Sequence, residues 1–582
     1  MRITYGESRM FKRAGLCVAA AAVAVFAGCS NDDSGGTTDA AARLATATPI
    51  KHLVVIFQEN VSFDHYFGTY PNVGVTDGSE PKFTAAAGTP AVNGLSEALL
   101  TGNPNKTNTG NGSGAANPFR LDITQAANSD QNHAYAAEQL AFDGLAMDLF
   151  PKNTGTCDVS MAAKTGVCGT AGAFGTAGQV MGYFDGNTVT ALWNYAQHYA
   201  MSDNSYSTTF GPSTVGAINL ISGQTNGAKP GPTFPKAADG TYDEYKDSNG
   251  NTAATLVPDG NGGYTDTDDD DPTGDVCSDP DYNFTMSGKN IGDLLNTANV
   301  SWGFFEGGFD LTIKNSDGSG GGPTTDNPCP ARTTTSSVTN VKKADYIPHH
   351  QPFQYYASTA NLNHTRPGSA KVIGTANDGG ANHQYDSHDF LDALAAGNLP
   401  AVSFVKAPGY QDGHAGYSDP LDEQTFVTTV INAVMQSPQW KSTAVIIAYD
   451  DSDGWYDHAS SVVRGSNISA SGTVFDSLDQ CTSVNTEVLP GVDGGKPAQG
   501  RCGYGMRQPL LVISPYSKVN FVDHTLTDQT SILRFIEDNW LAGQRIPGSY
   551  DAIAGTLENM LDFGAKPNTA PYLLDNSTGE PK

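Results

Sequence analysis

The chain has 582 residues, with 32 Lys and Arg against 61 Asp and Glu, a formal net charge of −29. That balance argues against any grip on the nucleic-acid backbone, which is recognised by positive charge. The length permits one large core or several domains.

The first residues read as an export signal. A positive "RMFKR" precedes the apolar "AGLCVAAAAVAVFAG", then Cys29 and the polar "SNDDSGGTTDAA", the order of a secretory signal followed by a flexible tether. The apolar run is short for a membrane span. "VFAGC" resembles a bacterial lipobox, which would make Cys29 a lipid-anchored N-terminus on the outer membrane or in the periplasm; the alternative is ordinary secretion after cleavage nearby. The expected organisation is a signal over 1–29, a tether over 30–47 and one domain over 48–582.

Next comes "HLVVIFQEN", a continuous apolar run that ends in Glu59 and Asn60. A parallel strand buried on both faces has this pattern, and open α/β sheets place ligands beyond the carboxyl ends of such strands. Glu59 alone also suits the first turn of a helix. The runs "SWGFFEG", "AVSFVKA", "AVIIAYD" and "PLLVISPY" read as further strands. Helical patterns lie between them: "HAYAAEQLAFDGLAMDLF", "TVTALWNYAQHYA", "EQTFVTTVINAVMQS" and "DQTSILRFIEDNWLA". This alternation predicts an α/β fold with a mostly parallel sheet covered by helices on both faces.

Two stretches interrupt it, near 225–283 and 314–339, and both read as long surface insertions. The first contains "DTDDDDPTGD", which lacks the register and glycine placement of an EF-hand loop and so reads as a solvated acidic face. Setting aside Cys17 and Cys29 of the signal, six cysteines remain of the eight. An even set in an exported chain reads as disulfide staples; sequence-local pairs would be Cys157 with Cys168, Cys277 with Cys329 and Cys481 with Cys502.

The pattern of the first strand recurs where "AVIIAY" runs into Asp450 and Asp451. Two strands ending in oxygen donors suggest a divalent cation, because adjacent carboxylates repel unless something positive lies between them. Ser213 follows a Gly-Pro turn in "FGPSTVGAINLISG" and precedes an apolar helical run. A hydroxyl there either faces a site at a helix N-terminus, which favours phosphate, or simply caps the helix. His133, His350, His414 and His458 all stand in polar, turn-prone surroundings.

Together these segments resemble a known family. "IKHLVVIFQENVSFDHYFGTYP" is similar to the opening signature of the bacterial phosphoesterases that include non-specific phospholipases C and respiratory-burst-inhibiting acid phosphatases. The likeness continues through "NHAYAAEQLAFDGLAMDLF", "FGPSTVGAINLISG", "HHQPFQYY", "AVIIAYDDSDGWYDH", "GMRQPLLVISPYSKVNFVDH" and "SILRFIEDNW". It implies an alkaline-phosphatase-like α/β fold and an acid phosphatase or phospholipase C activity, with phosphate esters, phospholipids among them, as substrates. By position Glu59, Asn60, Asp450 and Asp451 match the metal ligands, Ser213 (in preference to Thr214) the nucleophile, and His133, His350 and His414 the histidines around the phosphate. His350 and His414 lead as leaving-group acids. One divalent cation is implied, calcium, manganese, iron or zinc. The rival of another class is a non-catalytic surface lipoprotein that binds or adheres; such a chain would be expected to have lost a ligand or the nucleophile.

Overall fold

Seven consecutive buried residues, His52–Gln58, form strand β1 near the middle of an eight-stranded sheet. The computed structural model describes residues 39–75, 78–157, 176–236, 242, 244–246, 252–259, 261–315, 329, 331–460 and 502–582. The signal-like segment, Cys29, the start of the tether, Cys168 and Cys481 lie outside them. The other strands of the sheet are β2 (Ala200–Ser202), β3 (Trp302–Glu306), β4 (Gln384–Asp386), β5 (Val402–Lys406), β6 (Thr443–Tyr449), β7 (Leu510–Ile513) and β8 (Phe521–Asp523). Their order across the sheet is β4-β3-β5-β1-β6-β7-β2-β8. Only β7 runs against its neighbours β6 and β2, so the sheet is mixed and mostly parallel.

Side-chain alternation along β1 builds two cores at once. Leu53, Val55 and Phe57 point to one face, where they share a core with helices α2 (Ser213–Ser222) and α5 (Thr530–Trp540). Val54 and Ile56 point to the other, against α1 (Thr190–His198), α3 (Ser387–Ala395) and α4 (Pro420–Gln436). Apolar cover on both faces is why the strand needs no polar residue before its end. Among the described residues no helix is long and apolar enough to cross a membrane.

All five apolar runs become strands. The three-residue strands β2, β4 and β8 carry too few side chains to show a period, and sequence reading missed them. The helix read over "HAYAAEQLAFDGLAMDLF" is shorter than expected. It covers Tyr135–Phe142 and stops where Asp143 (φ 43°) and Gly144 (φ 62°) turn left-handed.

The acidic run corrects a second expectation. Strands Asn226–Pro230, Leu256–Pro258, Tyr264–Asp266, Asp271–Pro272 and Asn283–Met286 form a five-stranded sheet. It packs Leu256, Phe284 and Met286 into the same core as α2. Far from standing in solvent, Asp266 and Asp270 are 1% and 3% exposed. The backbone carries the run inward: the Asp266 and Thr267 amides donate to the carbonyls of Thr225 and Thr255, and Tyr355 Oη donates to the Asp270 carbonyl at 2.6 Å. Composition registers the charges; it does not register strand pairing.

Cys277 and Cys329 form a disulfide, buried in a small cluster with Phe309, Ala331 and Tyr346. The bond closes a loop with a sequence separation of 52. Constraint of the unfolded chain by such a loop is worth about 4 kcal/mol on chain-entropy arithmetic. Cys277→Ser/Cys329→Ser together should therefore lower the thermal midpoint by several degrees, and calorimetry that finds an unchanged midpoint would show that the staple adds nothing.

Candidate active site

Strands β5, β1 and β6 lie side by side and parallel, so their carboxyl ends open on one edge. Gln58 pairs with Tyr449 at the last rung of β1 and β6. The next residue on each strand is therefore an acid, Glu59 beside Asp450. β5 contributes its own last residue, Lys406. Asn60 adopts the left-handed conformation (φ 63°), which asparagine tolerates better than most side chains. The turn aims its amide N–H at Asp450 Oδ1 (3.0 Å) and its side-chain amide at Asp453 Oδ1 (3.2 Å).

Helix α2 comes down onto this edge with Ser213 as its first residue. The approach depends on Gly216, since a Cβ there would lie 2.1 Å from the Asp450 carbonyl oxygen. Ser213 Oγ ends 3.0 Å from Glu59 Oε2, 3.0 Å from Asp451 Oδ2 and 3.4 Å from Asn60 Oδ1. Thr214, the alternative hydroxyl, makes no such contact; its backbone N–H donates to Asp269 Oδ1 at 2.8 Å.

The histidines divide into two positions. His350 Nδ1 is 3.3 Å from Glu59 Oε1, on the side of Lys406. His133 Nδ1 is 3.3 Å from Asp453 Oδ1, and its ring meets that of His414 edge-on with centroids 5.9 Å apart. Nitrogen and oxygen atoms of His133, His414 and Asp453 lie within 4.8 Å of one another. All eight residues matched through the family resemblance thus fall in one connected cluster. His458 does not join it. Its Nδ1 lies 2.6 Å from Asp64 Oδ2, in a buried network with Asp457 and Arg507.

Charge in the cluster is unevenly spread. Lys406, fully buried, reaches Glu59 Oε1 and lies 3.5 Å from Asp450 Oδ2. Burial raises Asp450, but Lys406 and the amides of Asn60 and Asp451 bring it below the ordinary carboxylate value. Burial and the neighbouring Asp450 hold Glu59 well above it, against the pull of Lys406. Asp451 is likewise raised, chiefly by burial. His350 is driven well below the usual imidazole value by burial and by Lys406, and burial brings His414 to about 4. Partial burial lowers His133, whose side chain is 12% exposed, yet Asp451 and Asp453 raise it well above the usual value.

Ser213 has one hydroxyl hydrogen for three surrounding acceptor oxygens, and Lys406 supplies one positive charge among Glu59, Asp450 and Asp451. That surplus of buried, oxygen-only negative charge fits a hard or borderline divalent cation.

Four residues escaped the sequence reading. Lys406 ends an apolar strand just as Glu59 and Asp450 follow theirs, and the same rule applied to "AVSFVKA" would have found it. Asp453 lies three residues beyond Asp450. Asp412 accepts from the His414 amide and from Tyr417 Oη, both at 3.0 Å, while its carbonyl accepts from the Glu59 amide. Glu138 accepts from the Gly211 amide (3.0 Å) and from Ser452 Oγ (2.7 Å), tying the turn before Ser213 to the loop after β6, and burial pushes its carboxyl to about 7. Neither Asp412 nor Glu138 has a local sequence signal.

Residues 50–542 match the model of the phosphoesterase family. The chain belongs to that family. Among its relatives, the non-hemolytic phospholipase C of Pseudomonas aeruginosa is 29% identical over 188 residues, 31% of this chain and 26% of that protein. The hemolytic phospholipase C of the same organism is 34% identical over 181 residues, 30% of this chain and 23% of that protein. Both matches thus span about a quarter of the Pseudomonas proteins. Phospholipase C A of Mycobacterium tuberculosis is 22% identical over 536 residues, 90% of this phosphoesterase and 80% of its relative.

Proposed function

We propose that the chain hydrolyses phosphate esters through a phosphoserine at Ser213. The observation that carries this reading is the placement of Ser213 Oγ, at the first residue of a ten-residue helix and 3.0 Å from both Glu59 Oε2 and Asp451 Oδ2. The helix N-terminus favours a phosphoryl anion. The two carboxylates are placed to take the hydroxyl proton as Oγ attacks phosphorus in line.

Glu59, Asn60, Asp450 and Asp451 are the proposed ligands of one divalent cation, calcium, manganese, iron or zinc. When bound, it supplies Lewis-acid polarisation of a phosphoryl oxygen and a lower hydroxyl pKa. His133 is the proposed leaving-group acid, in place of His350 or His414. Carboxylates of Asp453 and Asp269 flank its two ring nitrogens and stabilise a proton there, whereas His350 shares Glu59 with the Lys406 ammonium. The neutral rings of His350 and His414 then orient phosphoryl oxygens and the water that cleaves the phosphoserine.

The same reading takes residues 48–582 as the catalytic domain, 1–29 as an export signal and Cys29 as a lipid anchor. The substrate is a phosphomonoester or a phospholipid diester. The relatives named phospholipase C support the diester; the strongly acidic chain opposes approach to an anionic bilayer. Hydrolysis of p-nitrophenyl phosphate and of p-nitrophenyl phosphorylcholine should be compared across pH, before and after chelation. At least one ester should be cleaved, the activity lost to chelator and recovered with one of the four cations. Inertness toward both esters with every cation would sink the proposal.

A further inference from the structure

The acidic run described above reaches the residue that follows the proposed nucleophile. Pro212 gives α2 no side-chain cap. The Thr214 amide, which adjoins Ser213 at the helix N-terminus, is met instead by Asp269 Oδ1 at 2.8 Å, from a segment 55 residues further along the chain. Asp269 Oδ2 lies 4.0 Å from His133 Nε2. One carboxylate therefore touches a helix-terminal donor suited to a phosphoryl oxygen and also faces the proposed acid. Its side chain is 28% exposed, so it is reachable from solvent.

Asp269 is held there by its neighbours. Its own amide donates to Asp268 Oδ1 at 3.0 Å. On one side the Thr267 amide is bonded to the Thr255 carbonyl; on the other, Tyr355 Oη holds the Asp270 carbonyl and His349 Nδ1 lies 3.3 Å from Asp271 Oδ1. A segment pinned before and after Asp269 cannot swing clear without breaking these bonds, so a substrate has to be accommodated beside the Asp269 carboxylate.

We propose that Asp269 determines specificity at this site, disfavouring phosphomonoester dianions relative to phosphodiester monoanions. The inference rests on the reading of the Ser213 site given above. Repulsion from a nearby carboxylate scales with the charge on the phosphoryl group, so the second charge of a monoester is penalised where a diester has none. A carboxylate on the Thr214 amide also competes directly with a phosphoryl oxygen for that donor.

Asp269→Asn tests this, because the amide oxygen still accepts from Thr214 while the charge is gone. In the cation-loaded protein, kcat/KM for p-nitrophenyl phosphate should rise about tenfold relative to that for bis(p-nitrophenyl) phosphate, a diester monoanion with no cationic group, the size of one modest charge–charge term. Inorganic phosphate should bind about tenfold more tightly by calorimetry at a pH where it is a dianion. A ratio and a phosphate affinity equal to the parent's would overturn the proposal. So would an equal loss on both esters. Asp269→Ala separates the capping role, since loss of the acceptor lowers the thermal midpoint whereas Asn preserves it. If the parent cleaves neither ester, the reading of function fails, but phosphate titration still decides the role of Asp269.

Discussion

Ser213→Ala is expected to reduce turnover by about five orders of magnitude, as loss of a nucleophile does when the rest of its machinery remains. The fold should persist. Ser213 is buried, but its hydroxyl serves Glu59 and Asp451 rather than the apolar core, so the cost to stability is about 1 kcal/mol. Cation binding, measured by metal analysis after dialysis, should be retained because the four proposed ligands are untouched. In the parent protein, acid quenching during turnover of a labelled phosphomonoester should trap phosphate on Ser213, located by peptide mass spectrometry. Label on Thr214 would move the nucleophile by one residue. Turnover in Ser213→Ala near the parent rate would mean that water attacks phosphorus directly, and the covalent mechanism would fall.

The second large effect concerns Lys406. Its ammonium is buried without exposure, against Glu59 and 3.5 Å from Asp450. Lys406→Met keeps the length of the side chain and removes the charge, leaving buried carboxylates unmatched at a cost of about 3–5 kcal/mol. The loss should appear as a lower thermal midpoint in chelator, and a saturating divalent cation should recover part of it, since binding to the folded state adds stability. The loss should also shrink at lower pH. Glu59 is already raised above its ordinary value in the folded protein, and such a group takes up its proton more readily folded than unfolded, which favours the folded state as pH falls toward the unfolded value. An equal midpoint for variant and parent in chelator would show that Lys406 does not balance the cluster, and failure of every cation to raise the variant's midpoint would argue against the proposed ligands.

The sequence by itself determined the frame of this protein. The uninterrupted apolar run from Leu53 to Phe57 has the pattern of a strand covered on both faces, and its abrupt end in Glu59 and Asn60, once repeated at Asp450 and Asp451, pointed to the edge of the sheet where a site belongs. The repeat of that pattern at Asp450 and Asp451, and the Gly-Pro turn ahead of Ser213, are local signals carried within a few residues each. Tertiary structure alone decided the rest, because the deciding contacts join segments far apart in the chain. Whether Ser213 or Thr214 faces the carboxylates depends on the rotation of α2, which is set where Gly216 meets the Asp450 carbonyl. Lys406 enters the cluster only because β5 pairs with β1 in register. Which histidine holds a proton depends on whether Asp453 or Lys406 lies beside it. The acidic run shows the divide most sharply: read as composition it belongs in water, yet strand pairing folds it under the helix and delivers Asp269 to the Thr214 amide.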